Sequence, residues 1–300
     1  MKVGIIATGH IAEKAATTLA AIDSMECLAV GSRTLEKAQA FATRFGIPRA
    51  YGSYAELLAD PDVQLVYVAV PHHMHFEVTR DAILALAREK KVFVAEAIWP
   101  RYMPVLQMGR ELLASGIIGE PKMITATLTY NVSDKERVQK PEMGGGALLD
   151  LGVYVLNFVR MYSDSPIEKI NATCIKAPSG VDATEVITMV LADGTLASVQ
   201  ASAWCQGENV GVIAGTKGYL VFDDLIHPTH IRVCRIRHVV EQEIPVPPHF
   251  NGFEYQFLAC KEAIEAGQIE VPQMPHAEIL YIMHLMDRLR AEWGVRFPGE

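Results

Sequence analysis

The chain has 300 residues, half of them apolar and 21% charged, with a slightly positive mean hydropathy, so it holds enough apolar material for one large or two medium cores and is neither disordered nor fibrous. It carries 27 basic against 35 acidic residues, a formal charge of −8, and no long block of like charge, so a nucleic-acid partner, which would leave a basic footprint, is not expected. The most apolar run, Leu65 to Val70, is too short to span a bilayer, and the N-terminus lacks the zones of a signal peptide. Five scattered cysteines without a Cys-x-x-Cys pair point neither to a disulfide framework nor to zinc, so the expectation is a cytoplasmic protein with reduced thiols.

The first hundred residues alternate short β-branched runs with longer helical patterns, as βαβ units and a parallel sheet do. Strands are expected at Lys2 to Ile6, Met25 to Gly31, Leu65 to Val70 and Val92 to Ala95, the last two as strands covered on both faces. Helices are expected over His10 to Ala21, Thr34 to Phe45 closed by Gly46, Tyr54 to Ala59, Thr79 to Glu89, and Pro104 to Ala114 closed by Gly116. Beyond Gly119 the pattern changes to alternating strands: Lys122 to Asn131, Ile167 to Lys176, Glu185 to Leu191, Leu196 to Trp204, Val210 to Ala214, Tyr219 to Asp223 and Ile231 to Arg235. Such alternation implies a largely antiparallel sheet with one open face. Helices follow Gly144-Gly145-Gly146 and occupy Gly252 to Ala266 and His276 to Trp293. The expected class is α/β plus α+β in two domains, 1–118 and 119–300.

After the first strand stands Ala7-Thr8-Gly9-His10-Ile11-Ala12, a dinucleotide fingerprint with its first glycine replaced by alanine. That motif needs a tight turn, then a residue without a side chain where backbone meets pyrophosphate, then a small residue where helix packs on strand. Gly9 and Ala12 meet the last two needs, and Ala7 meets the first only with a negative φ; Thr8, Gly9, His10 and Ile11 are the candidate cofactor contacts. At the tip of the second strand, where NAD enzymes carry a carboxylate for the ribose hydroxyl, this chain has Ser32-Arg33, a pair suited to a 2′-phosphate and hence to NADP. The plainer alternative for Arg33 is an exposed loop arginine.

Together with Ser32-Arg33-Thr34-Leu35-Glu36-Lys37-Ala38, the segments Pro71-His72-His73-Met74-His75 and Trp99-Pro100-Arg101-Tyr102 resemble the Gfo/Idh/MocA oxidoreductases. Gly144-Gly145-Gly146-Ala147-Leu148-Leu149-Asp150-Leu151-Gly152-Val153-Tyr154 resembles the branch with dihydrodiol, D-xylose and glucose–fructose oxidoreductases, and Gly215-Thr216-Lys217-Gly218, Gly252-Phe253-Glu254-Tyr255 and Met274-Pro275-His276-Ala277-Glu278 agree. The resemblance implies a doubly wound Rossmann domain, then an open, largely antiparallel sheet used for dimerisation, and hydride transfer between NADP(H) and a carbinol carbon of a small sugar, polyol or vicinal diol. It implies Tyr154 as general acid/base with Asp150 beside it; i and i+4 share a helix face, so the spacing agrees. It also implies that Pro71 and His72 wall the nicotinamide pocket, that His75 starts the next helix, and that Trp99 and Arg101 lie near cofactor and substrate. The plainer alternatives are a half-buried Tyr154 that merely packs, and a core indole with a surface guanidinium.

One departure stands out. The family carries a Glu-Lys-Pro motif whose lysine sits by the reacting hydroxyl, but a strand-plus-helix unit of roughly 25 residues, the size of a βα repeat, is missing here. Glu96 can occupy the glutamate position, Ala97 stands where the lysine belongs, and Val92 to Ala95 is expected to fill the vacated strand. A phenol of ordinary pKa about 10 is a poor base at neutral pH without a nearby cation; Arg101 and the nicotinamide charge are the candidates, ahead of Lys90 and Lys91, which lie at the helix end before the strand. A catalytically impaired nucleotide-binding or dimerisation module is therefore the alternative to an enzyme. The cluster His72, His73 and His75 lacks a carboxylate or cysteine at ligand spacing, so no metal is expected. Substrate hydroxyls are expected on the open sheet, which is rich in Thr, Ser and Asn.

Overall fold

Four parallel strands open the chain, β1 (Lys2–Ile6), β2 (Glu26–Gly31), β3 (Arg49–Tyr51) and β4 (Leu65–Val68), in the order β3-β2-β1-β4. The computed structural model describes residues 1–70 and 87–298. Val3, Ile5 and Val30 are fully buried beneath α1 (His10–Ala20) and α2 (Leu35–Phe45), whose alanines let helix and strand approach closely. Gly46 ends α2 in the left-handed region (φ 68°), while Thr34 precedes it without a side-chain cap. The short α3 (Tyr54–Leu58) starts at Ser53, whose hydroxyl accepts the Glu56 N–H. The three-residue β3 has no alternation for sequence reading to detect.

The segment Val92 to Ala95 is not a strand. Val92 is 54% exposed, the Val94 N–H donates to the Ile269 carbonyl, and the segment packs with Tyr102, Val271 and Met274. A four-residue apolar run can pack partly buried against loops and helices as well as in a sheet, as Phe93, Val94 and Ala95 do here. Strand β4 is correspondingly shorter and less covered than its composition promised: its first three residues are partly buried and Val68 is 47% exposed. Pro71, His72, His73, His75 and most of the helix expected over Thr79 to Glu89 lie outside the described residues; at its end, 87–90 are helical.

After α4 (Pro104–Ala114), eight strands form one sheet. They are β5 (Pro121–Thr129), β6 (Ile167–Lys176), β7 (Asp182–Leu191), β8 (Leu196–Ser202), β9 (Gly211–Gly215), β10 (Tyr219–Phe222), β11 (His230–Cys234) and β12 (Val240–Pro245). Their order is β12-β11-β10-β9-β5-β8-β7-β6, antiparallel throughout except for the parallel pair β5 and β8. Strand β12, mostly polar and exposed, was not expected. The inner face buries Ile124, Ala126, Leu128, Ile187 and Val199 under α6 (Val153–Tyr162) and α8 (His276–Trp293), with the four-residue α5 (Glu136–Gln139) and α7 (Glu254–Glu265) completing the helices used below.

Strand alternation puts Thr125, Thr127, Thr188 and Ser198 on the outer face, opposite the side that packs against α6. The hydroxyl-rich face therefore does not meet Tyr154, contrary to the expectation that it receives substrate.

Candidate active site

The carboxyl end of β1 turns into α1 through Ala7, Thr8 and Gly9. Ala7 has φ +83°, in the region that favours glycine, and its N–H donates to the Gly31 carbonyl at 2.9 Å. The turn thus keeps a backbone that favours glycine, and the condition of a negative φ for an alanine at this place is not met. Gly9 is extended (φ −83°), so its own backbone does not require glycine; a Cβ there would meet nothing within 4 Å. Open space stands before the first turn of α1, which has no side-chain cap, with His10 and Ile11 exposed and Thr8 partly buried. Free N–H groups at a helix N-terminus behind an open glycine fit a dinucleotide pyrophosphate. At the end of β2, Ser32 is buried with its N–H on the Tyr51 carbonyl, and Arg33 is exposed, without an acidic partner among the described residues.

Tyr154 lies on α6, directly after a π turn over Leu148–Gly152 that carries Asp150. Such turns arise where one extra residue is forced into a helix and are frequent at functional sites. Burial is the largest influence on the phenol and pushes its pKa up; the Asp150 charge adds to this, the Trp99 indole opposes it, and Tyr67 and Glu96 add smaller increments. Tyr67, on the carboxyl half of β4, is near enough for its charge to act weakly on the phenol, and open α/β sheets bind ligands at the carboxyl ends of their parallel strands. Asp150 is ion-paired with Arg137 of α5.

Trp99 is a core indole, stacked on Phe253 at 5.3 Å and tilted against His227 at 4.6 Å, and it touches the Tyr154 phenol. Arg101 has a different assignment from the one expected. It is 3% exposed, and its guanidinium donates to Asn157 (2.6 Å), the Gln273 carbonyl (3.1 Å) and Glu278 (3.0 Å). Arg160 reaches both oxygens of the same Glu278 carboxylate. Burial works against the Glu278 charge, but the two arginines hold its carboxyl below the usual range. Arg101 is an internal clamp between α6 and α8; among the described residues it is not one of the groups that weigh most on the phenol, and none of those is a cation. Nothing in local sequence announces that Asn157, Gln273 and Glu278 converge on it.

Ala97 is exposed, while Glu96 is turned inward. One Glu96 carboxylate oxygen is shut off from water without a hydrogen-bond donor among the described residues, and burial, opposed by Arg101, pushes the group up to about 7. Two further acids beneath the Tyr154 turn, Asp182 and Glu185, are 1% exposed each. Sequence reading missed them, although charged residues at buried positions of an alternating strand are a readable signal.

Residues 1–95 match the oxidoreductase family, NAD-binding Rossmann fold, and residues 106–221 match the GFO/IDH/MocA C-terminal domain. Trans-1,2-dihydrobenzene-1,2-diol dehydrogenase of Mus musculus is 31% identical over 336 aligned positions, which take in 99% of this chain and 98% of that enzyme; the enzyme of the same name in Bos taurus is 30% identical with the same shares. An alignment of 336 positions is longer than the 300-residue chain, so several dozen positions of the mouse enzyme have no counterpart here, in keeping with a missing unit. Two solved structures share the fold. A 3-ketoreductase from Actinomadura kijaniata, in complex with NADP, has TM-score 0.83 at 23% identity over 97% of both chains. A levoglucosan dehydrogenase in complex with NADH has TM-score 0.85 at 19% identity over 98% of this chain and 97% of that one. The chain belongs to the Gfo/Idh/MocA family of oxidoreductases and opens with that family's NAD(P)-binding Rossmann fold.

Proposed function

We propose that the chain is an NADP-dependent oxidoreductase acting on a CH–OH group of a small polyol, aldose or vicinal diol, with residues 1–118 holding the nucleotide and 119–300 supplying the substrate side. The observation that carries this reading is the chain of contacts from Tyr154 through Trp99 to Phe253, over whose ring Lys14 of α1 lies at 5.3 Å, which brings the phenol of α6 towards the nucleotide-binding sheet and its helices. The names of the curated relatives support the substrate class. When bound, the nicotinamide supplies or takes the hydride. The uncapped turn at Gly9 to Ile11 binds the pyrophosphate, and Arg33 with Ser32 holds the 2′-phosphate. Trp99 excludes water from the phenol. Tyr154 moves the proton, giving it to the substrate oxygen in reduction and taking it back in oxidation. Burial raises the phenol pKa further, so the phenol serves as the acid in reduction, and oxidation, which needs the phenolate, should gain with rising pH.

Two measurements test this. NADPH titration by fluorescence, with NADH as control, should show selective NADPH binding, and Arg33→Ala should weaken NADPH by about 10- to 100-fold, the worth of a charge-assisted hydrogen bond, leaving NADH unchanged. Tyr154→Phe should lower turnover by about 10²- to 10⁴-fold at unchanged NADPH affinity; equal loss of both refutes the role. A second reading, nucleotide binding without turnover, draws on the exposed Ala97 and on the absence, among the described residues, of a cation from the groups that act most on the phenol. Ala97→Lys separates the two, since a large gain in rate means the remaining site is intact. All five cysteines are free thiols, which supports a cytoplasmic location. Met123, Ile175, Val186 and Leu196, each more than 40% exposed on the outer face of the large sheet, support pairing of two copies through it.

A further inference from the structure

The turn that carries Asp150 and Tyr154 rests on strand β7, and β7 is irregular there. Ile175 pairs with Thr184 and Lys176 with Asp182, so Ala183 is an extra residue in the ladder. A bulge of this kind re-aims the side chains beyond it. Regular alternation would put Asp182 and Glu185 on opposite faces; with the bulge, both point inward and are 1% exposed. Both fill spaces that only glycine leaves. A Cβ on Gly146 would collide with the Asp182 carboxylate, and a Cβ on Gly152, inside the π turn, would collide with Glu185 Oε1. Asp182 accepts the Leu148 N–H at 2.6 Å, the first residue of that turn. Neither oxygen of Glu185 meets a donor, and the polar group facing it is the Asp182 carboxylate.

Two carboxylates side by side in a dry interior do not both ionise; one keeps its proton and donates it to the other. We infer that Asp182 and Glu185 share one proton and, seated in the notches of Gly146 and Gly152, act as positioning residues that hold the π turn so that Asp150 and Tyr154 are correctly presented. Burial raises both carboxyls; at Glu185 the neighbouring Asp182 charge adds to it and holds the group well above the ordinary carboxyl range, while at Asp182 the Leu148 N–H works against it. The titratable groups facing the pair from the neighbouring strand are Cys174, paired with Glu185 and pushed up to about 11 by burial and by the two acids, and Lys176, paired with Asp182, whose ammonium donates to the Gly294 carbonyl. From the turn above, the backbone of Gly146, Ala147 and Leu148 faces Asp182 and Gly152 faces Glu185, and none of these side chains titrates.

The inference rests on the proposed role of Tyr154 for its catalytic half but not for its proton. An acid whose folded pKa is raised lowers stability as pH climbs from its unfolded value towards its folded one. Thermal midpoints of the full chain between pH 5 and 9 should therefore fall with pH in the parent and fall less in Glu185→Gln, whose amide donates to Asp182 at any pH. Identical slopes would overturn the shared proton, and this arm needs no activity. In kinetics, Glu185→Gln should keep kcat at neutral pH and extend it to higher pH, while Glu185→Leu, which leaves Asp182 without its donor, should lower kcat by about 10-fold or more at unchanged NADPH affinity, short of the loss expected for an acid/base group itself. Unchanged kcat in Glu185→Leu, in a protein whose Tyr154→Phe variant is impaired, would overturn the positioning role; if Tyr154→Phe is unimpaired, the proposed function fails while the pH arm still decides the proton.

Discussion

At Ala7 the backbone adopts φ +83° with a Cβ attached, a conformation that costs an L-residue about 1–2 kcal/mol. Ala7→Gly should raise stability by about 1 kcal/mol, part of the relief being offset by glycine's larger unfolded-state freedom, and a denaturant midpoint checks it. Gly9 presents the opposite case. Its backbone is extended and its surroundings are empty, so Gly9→Ala should leave the midpoint unchanged yet weaken NADPH, because the added methyl enters the space proposed for pyrophosphate. Together the two variants separate the folding need of the turn from its binding need. The motif was legible as residue types; that Ala7 keeps the glycine conformation is set by the hydrogen bond to Gly31 across the sheet, which no local pattern reveals.

At the scale of elements, helix α6 is held from two sides, by the Asp182 and Glu185 pair beneath its first turn and by the Arg101, Asn157, Glu278 and Arg160 network along its length. Removing one partner of a buried ion pair leaves an uncompensated charge, so Glu278→Ala should destabilise the chain by about 3–5 kcal/mol, measured by chemical denaturation, with Arg101 the stranded group. The helices Pro104–Ala114 and His276–Trp293 and the strand Ile167–Lys176 were legible to the residue, because each has a clear period bounded by proline, glycine or polar breaks. Val92 to Ala95 misled because four apolar residues carry no period of their own. Strands β3 and β12 were missed for the converse reason: one is three residues long and the other mostly polar, and both exist because a neighbouring strand offers hydrogen bonds.

For the whole molecule, two sheets with opposite patterning divide the labour. The covered parallel strands present an uncapped helix end, and the large sheet buries one face under α6 and α8 while exposing Met123, Ile175, Val186 and Leu196 on the other. Val186→Lys, at a position 42% exposed, should leave the thermal midpoint nearly unchanged and convert a dimer to monomer in sedimentation; a monomeric parent would refute the proposed pairing. Sequence by itself determined the order of most elements, β3, β12 and Val92 to Ala95 excepted, and the change from βα units to alternating strands near Gly119, since periodicity and turn chemistry are local. Only the tertiary structure decided that Arg101 is a buried clamp, that the threonine-rich face lies away from Tyr154, and that Asp182 and Glu185 lie under the turn. Those facts depend on register, on a single-residue bulge and on contacts between segments more than a hundred residues apart, where one residue of slip moves a side chain to the other face.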